Sequence, residues 1–68
     1  MTDAEFENSY PRELFRYERT SFRIKGTMGQ TEIEEFRIYS KETGELVRTA
    51  TRTEHTNLRD LTTTTKWD

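Results

Sequence analysis

His55 is the only histidine in the 68-residue chain, and cysteine is absent. A metal site would have to combine His55 with carboxylates such as Glu54 and Asp60, at a spacing typical of no known donor set. A solvated histidine in a turn between strands is the simpler reading. Ser9, Ser21 and Ser40 lack the G-x-S-x-G setting of a nucleophile, and Gly26, Gly29 and Gly44 form neither a P-loop nor a dinucleotide fingerprint. Glu32, Glu34 and Glu35 cluster ahead of Phe36, but adjacent strand residues point to opposite faces, so Glu34 and Glu35 cannot share one acid–base site. The sequence therefore predicts no enzyme, no cofactor and no metal.

The residues better suited to chemistry are arginines interleaved with aromatics. Tyr17, Arg19, Arg23, Lys25, Arg37 and Tyr39, with Phe15, share one strand parity across two predicted strands. Tyr and Arg are the common anchors of protein–protein hot spots, so this set predicts a partner-binding face on a small regulator or inhibitor of the phage or mobile-element type. The same residues could stack single-stranded bases, which gives nucleic acid as the second reading. It ranks lower because Glu13, Glu18 and Glu35 compete with phosphate for those cations. A self-assembling structural subunit and a piece of a larger β-barrel are further alternatives.

Strands must position this set. "LFRYERTSFRIK" from Leu14 alternates, with strand character from Arg16 to Lys25 and a turn in "GTMGQ". "EFRIYSKETGELVRTATRTE" from Glu35 to Glu54 is the clearest hairpin, with Gly44 suited to a positive φ. Pairing Lys41 with Glu45 puts Tyr39 opposite Val47, Phe36 opposite Ala50 and Glu34 opposite Arg52; a four-residue loop would shift this register by one and flip the third strand. "HTNLRD" reads as a turn and "LTTTTKW" as a last strand, in a chain holding thirteen threonines.

At the N-terminus "TDAE" fits a capping box with Thr2 as N-cap and Glu5 reaching back, opening a short helix or an acidic arm over 1–12, in which Pro11 stops what precedes it or starts a second turn. The fold expected is mainly β: one domain over 1–68, with a single antiparallel meander of three or four strands across 14–67. A β-rich α+β arrangement is the variant. Phe22, Ile24, Phe36 and Ile38, with Leu46 or Val47, form the expected core face, and Trp67 is expected to fold back onto it, with anchoring a partner as the alternative.

That core is thin. Leu, Ile, Val and Phe number 12 of 68 residues, under the level of about a fifth below which disorder competes. Eleven basic against thirteen acidic residues leave a net charge of only −2, which favours a folded chain. The N-terminal segment with Phe6, Tyr10 and Leu14 is one cover for the sheet and a second copy, giving a homodimer, is the other. No apolar run marks a signal or a membrane span, so the expected location is cytoplasmic.

Overall fold

The computed structural model describes residues 1–26 and 29–68. A helix α1 (Asp3–Ser9) precedes four strands, β1 (Phe15–Lys25), β2 (Gly29–Ser40), β3 (Leu46–Asn57) and β4 (Thr63–Trp67). They form one antiparallel sheet in the order β1-β2-β3-β4, the meander expected from the sequence. The turn expected in "GTMGQ" falls partly on residues 27 and 28, outside the described residues. Gly26 at its start is required by close approach, since a Cβ there would collide with the Gly29 carbonyl oxygen.

Helix α1 forms although seven residues are too few for a helix to persist alone in water. The Thr2 hydroxyl accepts from the Glu5 amide at 3.2 Å and the Thr2 amide donates to Glu5 Oε1 at 3.0 Å, completing the capping box. Packing supplies the rest. Phe6 is fully buried and stacks on Trp67 with ring centroids 4.1 Å apart and planes 11° from parallel. The Tyr17 ring stands edge-on to both, at 5.9 and 6.1 Å. Ile38 and Ala50 complete the buried set, and Tyr10, Phe15 and Phe36 pack around it.

Phe22 and Ile24, expected in the core, are 43% and 55% exposed. They do share the face of Phe36 and Ile38, but the short helix leaves their end of the sheet uncovered. Leu46 and Val47, the other expected core positions, are also exposed; Ala50 fills that place on β3.

The two hairpin loops are built alike. In the first, the Ser40 amide donates to the Glu45 carbonyl at 2.9 Å and the Gly44 amide to the Ser40 carbonyl at 2.7 Å. In the second, the Asn57 amide donates to the Thr62 carbonyl and the Leu61 amide to the Asn57 carbonyl, each at 2.8 Å. The fourth loop residue is left-handed in both, Gly44 at φ 75° and Leu61 at φ 59°. The β2–β3 loop is thus four residues long, and Tyr39 pairs with Leu46 rather than Val47. A register shift between Ile38 and Tyr39 leaves Val47 as the extra residue. Beyond it Phe36 pairs with Ala50 and Glu34 with Arg52, as the sequence suggested.

Candidate binding face

A second bulge decides which side chains share a face. The β1–β2 register shifts between Arg19 and Ser21, leaving Thr20 as the extra residue. Phe15, Tyr17 and Arg19 pair with Ser40, Ile38 and Phe36 and so lie on the helix side of the sheet, together with Phe22 and Ile24. Unbroken alternation had put these three on the opposite side. The six residues expected to form one partner-binding surface are therefore divided. Arg23, Lys25, Arg37 and Tyr39 stay on the open face; Tyr17 and Arg19 do not.

Tyr17 belongs to the core. Its hydroxyl donates to the Tyr10 carbonyl at 2.6 Å, the Arg12 guanidinium lies 4.2 Å from its ring centre, and burial raises its phenol above the ordinary range. Arg19 pairs with Glu34 at 3.3 Å. A stacking platform for single strands thereby loses one of its two tyrosines, leaving Tyr39.

The helix side also holds an ion-pair cluster around Arg52. Its Nε and Nη2 donate to the two Asp3 carboxylate oxygens at 2.9 and 3.1 Å, Nη1 donates to Glu34 at 3.1 Å, and Nη2 also donates to Glu54 at 2.9 Å. The Trp67 indole N–H donates to Asp3 at 2.5 Å. Hydrogen bonding from Arg52 holds the Asp3 carboxyl below the usual aspartate range, and the same hydrogen bonds, with those to Glu54, raise the Arg52 guanidinium further above its ordinary value. Alternation on the hairpin reveals the Glu34–Arg52 pair; nothing local in the sequence reveals that Asp3, 49 residues away, closes it.

The open face has the opposite balance. Cross-strand partners place Arg16, Arg23, Lys25, Arg37 and Lys66 there against Glu18, Glu35 and Asp68, five cations to three side-chain carboxylates with Lys66 3.6 Å from Asp68, in a chain whose net charge is −2. Arg16 lies 4.3 Å from the Tyr39 ring centre and 3.3 Å from Glu18, and Arg23 reaches Glu35 only at 3.8 Å. Lys25 and Arg37 have no ion pair among the described residues. Between these charges lie Thr31 and Ile33 on β2, Thr49, Thr51 and Thr53 on β3, and Thr64 on β4.

His55 lies within β3 rather than in a turn, exposed on this same open face, with Nδ1 2.8 Å from the Thr31 hydroxyl. No group of three metal-ligating side chains occurs among the described residues. No helix among them is long and apolar enough to cross a membrane. No family model, curated protein or solved structure matches the chain.

Proposed function

We propose that this protein is a non-enzymatic binding module, a small regulator or inhibitor that occupies the surface of a protein partner with the open face of its sheet. The observation that carries this reading is the separation of charge. On the helix side Arg19 and Arg52 are paired with Asp3, Glu34 and Glu54, whereas on the open face Lys25 and Arg37 have no ion pair among the described residues, Arg16 and Arg37 lie beside Tyr39, and no described residue covers the sheet. Such a face favours a partner surface rich in carboxylates, with Tyr39 and the arginines as anchors.

The reading is tested by affinity capture followed by mass spectrometry, comparing the wild type with the double variant Arg37→Glu/Tyr39→Ala. Both positions are outside the core, so the variant is expected to fold and to lose the partner. Retention of the same partner at undiminished yield would remove this face from consideration.

A further inference from the structure

The two edges of the sheet are treated differently. β4 is five residues long, and its outer side is engaged by the chain's own N-terminus: the Trp67 amide donates to the Met1 carbonyl at 2.7 Å and the Met1 amine to the Trp67 carbonyl at 3.2 Å. β1 is eleven residues long and lies at the other end of the strand order, so no strand pairs with its outer edge, where only the first amide, that of Phe15, is taken by the Pro11 carbonyl at 2.9 Å. Unpaired strand edges of this kind recruit further strands unless they are blunted. The Thr20 bulge divides the edge into two regular stretches, Phe15–Arg19, which starts against Pro11, and Ser21–Lys25, which has no such neighbour among the described residues.

The side chains of that stretch alternate in a way that selects an occupant. Phe22 and Ile24 are exposed on the helix side, beyond the reach of α1. Arg23 and Lys25 are exposed on the open face, Arg23 with a single long contact to Glu35 and Lys25 with no ion pair among the described residues. We propose that the outer edge of β1 at Ser21–Lys25 takes up an extended segment of the protein partner as a fifth strand. That segment alternates apolar residues, packed on Phe22 and Ile24, with acidic residues facing Arg23 and Lys25. Backbone pairing supplies affinity and the alternation supplies selection. A second copy of the chain fits less well, because a two-fold pairing of Ser21–Lys25 with itself crowds two arginines and two lysines onto one face, and like charges directly opposite destabilise. The inference rests on the partner-binding reading above and adds the partner's conformation and chemistry.

The test uses amide chemical shifts of the full chain, titrated at low salt with a capped peptide of about eight residues alternating Val and Glu, long enough to span the edge stretch. Saturable shifts centred on Ser21–Lys25 are expected. A Val/Lys peptide should bind at least about tenfold more weakly, and Arg23→Glu/Lys25→Glu should invert that preference. Methylating alternate peptide nitrogens removes the donors while keeping the charge, and should abolish the shifts. Equal binding of both peptides, indifference to N-methylation, or no shift at millimolar peptide would each overturn strand addition. Shifts confined to Arg37 and Tyr39 that survive N-methylation would overturn it while sparing the open-face reading, whereas loss of the face reading shows in the Arg37/Tyr39 capture experiment alone. Concentration-dependent doubling of mass, with β1 amides changing on dilution, would give the edge to a second copy and also overturn the proposal.

Discussion

Truncating Phe6 to alanine tests the most consequential feature of the fold, that a seven-residue helix supplies the centre of the core. The Phe6 side chain has no exposed surface, stacks on Trp67 at 4.1 Å and meets Tyr17 edge-on at 5.9 Å. Burying a phenylalanine is worth about 2–3 kcal/mol by area, and each aromatic pair adds about 0.5–1.5 kcal/mol. Phe6→Ala is therefore expected to cost about 3–5 kcal/mol, the range seen for large aromatic truncations. A domain of this size has about 3–10 kcal/mol in total, so the variant should be largely or wholly unfolded at room temperature. Phe22→Ala, at a site 43% exposed, should cost no more than about 1 kcal/mol. Urea denaturation followed through Trp67 fluorescence and far-ultraviolet circular dichroism measures both. With a slope of about 1 kcal/mol per molar urea, the two midpoints should differ by at least about 2 M. A loss under about 1 kcal/mol for Phe6→Ala, or one at Phe22 as large, would refute this account of the core.

Acid should weaken the fold through Asp3. A carboxyl held below its unfolded value of about 3.9 contributes stability that is present above that pH and is lost as pH falls through the folded value. Asp3 is held low chiefly by its hydrogen bond with Arg52, so the melting temperature should fall below about pH 4, and Asp3→Asn should lower it at pH 7 while flattening that fall. An unchanged pH slope in the variant would contradict the assignment. At Leu61, held at φ 59° and 76% exposed, Asn tolerates the left-handed region better than leucine; Leu61→Asn should stabilise by about 0.5–1 kcal/mol, read as a higher urea midpoint. Deleting Val47, the extra residue of the β2–β3 bulge, should shift stability by no more than about 1 kcal/mol, because the pairs on either side keep their faces. Deleting Thr51 should unfold the protein, because it turns Arg52 away from Asp3 and Glu34. Circular dichroism of the two deletions distinguishes these outcomes.

The hairpin was legible where two independent signals agreed. Phe36 opposite Ala50 suited the core, Glu34 opposite Arg52 suited charge pairing, and Gly44 marked the left-handed loop position. The loop itself was one residue longer than the three-residue closure that produces that register, and the bulge at Val47 restored it. A loop change and a bulge of equal size cancel in the register, so neither is visible from the central pairs. The Thr20 bulge was hidden for a different reason. Threonine is an ordinary strand residue, and the hydrogen bond from its hydroxyl to the Glu35 carbonyl at 3.3 Å needs β2 already in place. Without it, Tyr17 and Arg19 stay in phase with Arg23 and the binding set looks continuous. The capping box at Thr2 was readable because it is local; the landing place of Phe6 was not, because contacts with Trp67 span almost the whole chain.

These hidden features act together on charge. Moving Arg19 to the helix side brings it to Glu34, and closing the Arg52 cluster commits Asp3, Glu34 and Glu54 to that same side. Carboxylates are thereby drawn to the helix side, and five cations remain with three side-chain carboxylates on the open side. The chain's net charge of −2 therefore says little about the surface it presents. The same organisation accounts for the sheet's unequal edges. The N-terminus, fixed by Phe6 and Asp3, engages the backbone of Trp67 at the end of β4, while the opposite edge strand, β1, keeps over Ser21–Lys25 both an unpaired backbone and the exposed pairs Phe22/Ile24 and Arg23/Lys25. Anchoring the short helix at one side of so small a sheet leaves the basic strand at the other side with its apolar and cationic side chains uncovered.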